Sequence, residues 1–213
     1  MTEPKRSQRA DQKEKTRQRL IEATIDVVAS EGLSGTTMGK VARKAGLSQG
    51  IVNFHFESKE KLLGVVLAEI TEAYHSSWQE ALENVGDDPG ERLTAFVRAL
   101  FHPRITARHN LRCWFAFWGD AYARRLYREI GSRVDELTAA KLIALCQELL
   151  EATGSDKTGE ELTAAAFEIS NRLVAMVTGF WLMKVLRDEF QLESAVASCL
   201  DYLREVYPDA IQT

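Results

Sequence analysis

The sequence predicts an all-α protein of about nine helices, and three observations support this fold class. Apolar residues recur at spacings of three and four along most of the chain, which is the period of an amphipathic helix. No segment shows the alternating apolar and polar residues of a β-strand, and the 213 residues include only 4 prolines and 13 glycines. With 45% hydrophobic residues, the chain is long enough to bury a sizeable core and to form one or two domains.

The N-terminal segment, residues 1–10, is basic and has no apolar period, so we predict a flexible arm. Such an arm could contact DNA phosphates or reach a minor groove, or it could simply keep the chain soluble. Residues 11–32 then form the first long helix, which buries one apolar stripe and ends at Gly32. Lys13 and Arg17 lie in its early turns, where the helix dipole disfavours positive charge. A partner anion would explain why basic residues are found there.

Residues 37–56 predict two short helices joined by a tight turn. Thr37 caps the first helix, Gly46 ends it in the left-handed conformation, and Ser48 caps the second. The second helix is expected to point Ile51, Val52 and Phe56 inward and Gln49, Gly50, Asn53 and Phe54 outward. This is the arrangement of a helix-turn-helix, whose second helix enters the DNA major groove, although periodicity alone fits an ordinary helical hairpin equally well.

The remainder of the chain predicts six further helices, the first of them capped by Ser58. Turn segments separate them, so that the helices are expected at residues 58–83, 89–101, 104–118, 121–153, 160–187 and 191–207. We therefore predict three parts, which are a flexible basic arm (1–10), a three-helix helix-turn-helix domain (11–57) and a larger helical domain (58–213).

Charge is unevenly distributed along the chain, although the net charge is only −4. Residues 1–60 hold 11 Lys and Arg against 8 Asp and Glu, or +3, whereas residues 61–213 hold 16 against 23, or −7. A basic N-terminal part on an acidic body is typical of a DNA-binding head on a body that does not bind DNA.

The sequence disfavours several other classes of protein. The polar N-terminus is unlike a secretory signal and no apolar stretch approaches the ~20 residues that span a bilayer, so we expect a cytoplasmic protein with no membrane partner. The widely spaced Cys113, Cys146 and Cys199 are expected to be free and buried. The histidines show no metalloprotease or triad-like context and there is no phosphate-binding glycine loop, so we predict no enzyme, no cofactor and no metal site.

The run AGLSQGIVNFHFESKEKLL, residues 45–63, closely resembles the signature of the TetR family of transcriptional repressors. The matching positions are Ala45, Gly46, Leu47, Ser48 and Gly50, then Asn53, His55 and Phe56, then Ser58, Lys59, Glu60, Leu62 and Leu63. Asn53 departs from the pattern, because the family usually has a phosphate-contacting tyrosine at this position. The resemblance implies a homodimeric repressor that binds a palindromic operator and is released by a small effector.

Two groups of residues are predicted to bind double-stranded DNA. Glutamine and asparagine side chains can pair with adenine, and a phenylalanine ring can pack on a thymine methyl group. The predicted base-reading group is therefore Gln49, Gly50, Asn53 and Phe54. The group predicted to contact phosphates is Thr37, Lys40, Ser48, His55 and Lys59.

The last two predicted helices carry more apolar surface than is needed to pack one side of each helix inside the chain. The family resemblance implies that they form a four-helix bundle with a second copy, which would place two recognition helices on successive faces of the major groove. The alternative is that this surface packs only inside the chain. The residues predicted for dimerisation are Ile169, Leu173, Met176, Val177, Phe180, Val196, Leu200 and Leu203.

Aromatic residues concentrated in the larger domain predict a ligand site there. Ring faces attract a quaternary ammonium group, and the carboxylate of Asp120 could add a counter-charge. Asp120 could equally cap a helix, and single aromatic residues at helical spacing are usually core. The predicted ligand residues are Trp114, Phe117, Trp118, Asp120, Tyr122, Tyr127 and Trp181.

A narrower resemblance concerns the same region. The run Trp114, Ala116, Phe117, Trp118, followed by Leu126, Tyr127, Arg128 and Arg133 and by Gly179, Trp181 and Leu182, is similar to the BetI branch of the TetR family. Those repressors respond to choline and control glycine-betaine synthesis genes, so the resemblance implies choline or a related quaternary amine as effector. Two alternatives are open, a repressor that responds to an unrelated cationic or aromatic small molecule and a helical interaction protein that does not bind DNA.

Overall fold

The computed structural model describes residues 4–120, 123–208 and 211, except the side chains of residues 4–7 and 124. Within this part of the chain the fold is all-α, as predicted, with no strand. The ten helices are α1 (Pro4–Gly35), α2 (Met38–Ala45), α3 (Gln49–Phe56), α4 (Lys59–Glu83), α5 (Pro89–Ala99), α6 (Pro103–Thr106), α7 (Arg108–Gly119), α8 (Ala123–Ala152), α9 (Gly159–Leu186) and α10 (Leu192–Val206). The additional helix is α6, a single turn that Pro103 begins, because proline is favourable at the first position of a helix.

The first helix begins earlier than predicted. Residues 4–10, predicted to belong to a flexible arm, are helical and continuous with the rest of α1. No proline or glycine interrupts the chain from Lys5 to Glu31, and its Arg, Lys, Gln, Glu and Ala residues are strong helix formers. The predicted break at Gly32 is present as a residue with φ 72° and ψ 174°, after which the last turn continues to Gly35.

The helix-turn-helix forms as the sequence predicts. The side chain of Thr37 accepts a hydrogen bond from the backbone N–H of Lys40 at 3.3 Å, and Gly46 ends α2 with a left-handed φ of 63°. Ser48 precedes α3 in an extended conformation, but its side chain makes no capping hydrogen bond, which corrects one detail of the prediction. The side chains that α2 and α3 bury are Val41, Ala42, Ala45, Val52 and Phe56.

The chain divides into two compact units. The first comprises Met1–Ile70 and Arg112–Ile130, and the second comprises Thr71–Leu111 and Gly131–Thr213. The predicted boundary at residue 57 therefore differs from this division, because the end of α7 and the start of α8 fold with the N-terminal helices. Gly64 of α4 faces the start of α8, and a Cβ added at that position would lie 3.7 Å from the Cδ1 atoms of Leu126 and Ile130, in ordinary van der Waals contact.

The second unit contains its own hydrophobic core, in which α10 packs on α9 and on α5. Helix α9 buries one face at spacings of three and four, formed by Leu162, Ala166, Ile169, Leu173, Val177 and Trp181. Two buried indoles are anchored by hydrogen bonds: Trp181 Nε1 donates to the carbonyl of Leu100 at 3.1 Å, and Trp78 Nε1 donates to Oγ1 of Thr138 at 3.2 Å.

The three cysteines are free and buried, as predicted. Burial raises the pKa of Cys113, Cys146 and Cys199 to about 12. Because the thiolate is the reactive form of cysteine, these thiols are unreactive at neutral pH and act as small apolar core residues.

Helix α9 has a second apolar face that its own chain leaves uncovered. By length and composition α9 could cross a membrane, which corrects the prediction that no stretch approaches that length. A single such helix is weak evidence for a membrane span, because core helices of soluble proteins meet the same criterion. Only 28% of its most apolar window is buried, and its large exposed apolar residues are Phe167, Val174, Leu182, Met183 and Leu186.

Candidate DNA-binding face and effector site

Helix α3 directs outward all four residues that are predicted to read bases, namely Gln49, Gly50, Asn53 and Phe54. The Phe54 ring is 71% exposed, which is unusual for so large an apolar side chain. Ile51 is 36% exposed, so the prediction that it points inward is wrong, and only Val52 and Phe56 anchor the helix. Helix α3 is therefore held by two side chains and leaves the rest of its surface available to a partner.

The N-terminal half of α1 brings positive charge to α3. The ammonium group of Lys13 lies 5.6 Å from the centroid of the Phe54 ring, within the range of a cation–π contact. The rings of Phe54 and His55 meet edge to face, with centroids 5.4 Å apart. The sequence predicts an anion near Lys13 but does not predict its contact with Phe54, because the two residues are 41 positions apart along the chain.

The two lysines predicted to contact phosphates have partners within the protein. Lys40 pairs with Glu31 and donates a hydrogen bond to the carbonyl of Gly35 at 2.8 Å. Lys59 donates to the carbonyl of Leu33 at 2.6 Å. Both ammonium groups therefore donate hydrogen bonds to backbone carbonyls at the end of α1. The last carbonyls of a helix have no hydrogen-bond donor within the helix itself. Lys40 and Lys59 thus hold α2 and α4 against α1, and any contact with phosphate would be additional.

The other predicted phosphate contacts differ in exposure. Thr37 and Ser48 are exposed, and His55 is half-buried. Burial, followed by the charges of Lys13 and Arg17, lowers the pKa of His55 below its ordinary value of 6.5, and Glu14 opposes the shift. The imidazole of the free protein is therefore harder to protonate than that of an ordinary histidine.

We expect His55 to make DNA binding depend on pH. A phosphate beside the ring would favour the imidazolium form and raise the lowered pKa, so the complex would take up a proton. Affinity should therefore rise as pH falls through the window between the pKa of the complex and the lower pKa of the free protein. The gain is up to about tenfold for each pH unit between the two values.

DNA titrations at constant ionic strength over about pH 5 to 8, the range in which histidine titrates, would measure this dependence. The variant His55→Gln should flatten the curve, whereas His109→Gln, at an exposed histidine of α7, should leave it unchanged. An unchanged slope in His55→Gln would show that His55 does not face a phosphate.

Three aromatic rings surround Trp118 in the first unit. The Trp118 ring is nearly perpendicular to those of Trp114, Phe115 and Tyr127, at centroid distances of 6.3, 5.4 and 6.0 Å. Trp114 is only 2% exposed, whereas Trp118 and Tyr127 are half-buried. The structure thus brings three predicted ligand residues together, with Trp118 at the centre of the group. The Nε1 atom of Trp118 is buried and has no hydrogen-bond partner in the part of the chain that the structure describes.

The other predicted ligand residues have different surroundings. Phe117 and Asp120 line a cleft of about 530 Å³ within the first unit. The Asp120 carboxylate also accepts a hydrogen bond from the backbone N–H of Ala123 at 3.0 Å and so caps α8, the alternative role considered from the sequence. Trp181 belongs to the second unit, where it is 3% exposed and serves as core. Tyr122 lies outside the described residues.

Five of the residues predicted for dimerisation are buried inside the second unit instead, namely Ile169, Leu173, Val177, Leu200 and Leu203. Met176, Phe180 and Val196 are half-buried. The prediction failed for the five because α9 is apolar on both faces, so the sequence could not show which face packs inside the chain. The exposed face carries Phe167, Val174 and Leu182 together with the small residues Ala175 and Gly179.

Comparison with known protein families matches both parts of the chain. The family described as bacterial regulatory proteins, tetR family, matches residues 20–66. The family described as BetI-type transcriptional repressor, C-terminal, matches residues 89–208, which is more than half of the chain.

Similar individual proteins agree with these matches. The HTH-type transcriptional regulators BetI of Paraburkholderia xenovorans and Paraburkholderia phymatum are 28% and 29% identical to the chain, covering 88% and 90% of it and 91% and 92% of their own lengths. A transcriptional regulator from Pseudomonas aeruginosa shares the fold with a TM-score of 0.75 and 24% identity, over 92% of each chain. A regulator from Saccharomonospora viridis, solved in complex with choline, gives a TM-score of 0.71 at 17% identity, over 94% of this chain and 100% of its own.

Proposed function

Since this chain belongs to the TetR family of bacterial regulatory proteins and has a BetI-type C-terminal domain, we propose that it represses its target genes as a homodimer that a small organic cation releases from a palindromic operator. Its family makes it a transcriptional regulator rather than an enzyme. A regulator of bacterial genes acts where the DNA is, so we place it in the cytoplasm.

The observation that carries the DNA-binding part of the proposal is the outward face of α3. Its polar side chains Gln49 and Asn53 and the exposed Phe54 ring supply hydrogen-bonding groups and an apolar surface of the kind that base edges accept. Two copies related by a twofold axis would place two α3 helices about 34–36 Å apart, so the operator should be a near-palindrome.

We propose that the dimer forms through the exposed face of α9, together with the half-buried Met176 and Phe180 of α9 and Val196 of α10. Exposed apolar side chains recur along this face from Phe167 to Leu186, over most of the length of the helix. Ala175 and Gly179 would let a partner helix approach closely, and a Cβ added to Gly179 would meet nothing within 4 Å in the single chain. Several large exposed apolar side chains on one helix are typical of a protein–protein interface.

For the effector, we propose choline or a closely related quaternary amine, bound against Trp118 and Tyr127. Both rings are half-buried, so part of each ring is accessible to solvent, and a ring face would attract an ammonium group by about 0.5–2 kcal/mol. The names of the BetI relatives and the choline complex of the Saccharomonospora viridis regulator support this class of ligand. Control of glycine-betaine synthesis genes would follow from the same ligand.

Calorimetric titration with choline and with its uncharged isostere 3,3-dimethylbutan-1-ol would test this effector. We expect choline to bind more tightly, because only the cation gains from the ring faces. Trp118→Leu should remove the preference, since leucine keeps apolar bulk without a π face. Phe167→Leu, a matched aromatic loss on α9, should retain it.

Two outcomes of the effector test are informative. Equal affinity for choline and its isostere would contradict a cation site. An absence of binding by choline, betaine and betaine aldehyde would favour the alternative of an unrelated cationic or aromatic effector, and the regulator assignment would stand. A separate DNA-binding measurement should show that choline weakens operator binding, which would support release by the effector.

A further inference from the structure

The cleft of about 530 Å³ in the first unit has the size and composition of a small-molecule site. Its floor is apolar and is formed by Leu33, Leu63, Phe117, Ala123 and Leu126. Phe117 and Leu63 are almost fully buried and Leu126 is half-buried, so the floor belongs to the packed core of the unit. A choline-sized molecule would fill only part of such a volume, which leaves room for an apolar tail.

The rim of the cleft has an excess of negative charge. Among its described side chains, Glu60, Asp120 and Glu129 are acidic and Lys59 and Arg125 are basic, which gives a formal charge of −1. Most of these charges already have partners, because Arg125 pairs with Glu129 at 3.9 Å, Lys59 donates to the Leu33 carbonyl, and the Asp120 carboxylate accepts from the backbone N–H of Ala123. An apolar floor below an acidic rim suits a ligand with a positive head and an apolar tail.

The walls of the cleft connect the ligand position to the DNA-binding helices. Leu33 and Ser34 lie in the last turn of α1, and Ser58 precedes Lys59, the first residue of α4. Phe117 lies near the end of α7 and Ala123 begins α8. The hydrogen bond from Lys59 to Leu33 joins the first two walls directly. Only Glu57 and Ser58 separate α3 from α4, so a change at the start of α4 reaches the base-reading helix through two residues.

We propose that this cleft is a second ligand site, which binds an amphipathic organic cation and changes the affinity for DNA through α1 and α4. The binding part of this inference is independent of the proposed choline response, whereas the DNA readout relies on the proposed operator binding. The ligand is distinguished from choline by its tail, which the floor of the cleft accommodates.

Calorimetry on the full chain with octyltrimethylammonium, tetramethylammonium, octanoate and octan-1-ol would separate the contributions of tail and charge. We expect octyltrimethylammonium to bind at least about tenfold more tightly than each of the other three, because only it has both the tail and the positive head. Octanoate or octan-1-ol binding equally well would overturn the charge assignment. Equal binding of tetramethylammonium would overturn the tail assignment.

Variants of the cleft would locate the ligand. Leu126→Trp should fill the floor and weaken octyltrimethylammonium at least tenfold, and Ser34→Trp, from an exposed position at the end of α1, tests the same wall if Leu126→Trp does not fold. Glu60→Gln should weaken binding, whereas Glu136→Gln, an exposed carboxylate of α8 outside the cleft, should not. A loss in Trp118→Leu with none in Leu126→Trp or Ser34→Trp would place the ligand at the aromatic group and overturn the inference.

Linkage to DNA is the remaining part of the test. If the cleft is coupled to α3, operator DNA must change the affinity for octyltrimethylammonium by the same factor by which octyltrimethylammonium changes the affinity for operator DNA. Equal ligand affinity with and without DNA would overturn the coupling. A chain that binds choline through Trp118 but does not bind the tailed cation would refute only the cleft, and the proposed function would survive.

Discussion

Replacing Gly179 with arginine should convert the dimer into monomers and lower operator affinity at least about 100-fold, because specific binding exceeds non-specific binding by large factors and a monomer retains only one recognition helix. Gly179 is exposed on the apolar face of α9, and an added Cβ meets nothing within 4 Å in the single chain. The fold should therefore tolerate arginine, which also has about 1 kcal/mol better helix propensity than glycine. In a dimer of the variant, the partner helix would bury the arginine guanidinium without a partner charge, which costs several kcal/mol.

Light scattering for the oligomeric state and circular dichroism for helicity would measure the effect of Gly179→Arg. Leu137→Arg is the matched control, because Leu137 is 45% exposed and apolar but belongs to α8 rather than α9. We expect a dimer for Leu137→Arg and a helical monomer for Gly179→Arg. A dimeric Gly179→Arg that still binds operator DNA would show that another surface joins the two copies.

The second large effect is expected from Gln49→Ala, which should weaken binding to the operator but not to random DNA. A bidentate contact to a base is worth about 1–3 kcal/mol of discrimination, so operator affinity should fall about 5- to 150-fold. Binding to random DNA depends mainly on phosphate contacts and should stay within about twofold. Asn53→Ala should act in the same way at a different base pair, since Asn53 lies one helical turn further along α3.

Fluorescence anisotropy with operator and random duplexes, each at several salt concentrations, would separate the two effects. Lys61→Gln is the control, because Lys61 is exposed, pairs with Glu57 and is outside the predicted DNA-binding set. Equal losses on both duplexes for Gln49→Ala would assign Gln49 to positioning rather than to base reading.

The helix-turn-helix could be predicted from the sequence because each of its determinants is local. The Thr37 cap and the left-handed Gly46 depend on side-chain chemistry within a few residues, and the structure has both. The inward placement of Ile51 was wrong for the opposite reason. Ile51, Val52 and Phe56 lie within an arc of about 140° on the helix, so the sequence is compatible with all three facing inward, and tertiary packing decides that only Val52 and Phe56 are buried.

The roles of Lys40 and Lys59 could not be predicted, because their partners are set by tertiary structure. Lys59 reaches a carbonyl 26 residues away, and no sequence pattern marks that contact. The same limitation applies to α7, whose end folds with the N-terminal helices rather than with the second unit. The cleft arises from that packing, so the sequence indicated Phe117 and Asp120 as ligand residues without indicating the space that they line.

The dimerisation residues show a different limitation. The sequence correctly indicated that α9 has more apolar surface than the chain's own core needs, but a helix that is apolar on opposite faces does not reveal which face is internal. Trp181 was ambiguous in the same way, and its hydrogen bond to Leu100 shows it to be core.

The most direct test of the central claim, that α3 enters the major groove twice in each assembly, is selection of binding sites from a random duplex pool followed by hydroxyl-radical footprinting. We predict an inverted repeat whose two half-sites are protected on one side of the duplex, about 10–10.5 base pairs or one helical turn apart. A pool selected with Gln49→Ala should lose the preference at one symmetric pair of positions. Enrichment of a single unrepeated motif, or no enrichment at all, would contradict it.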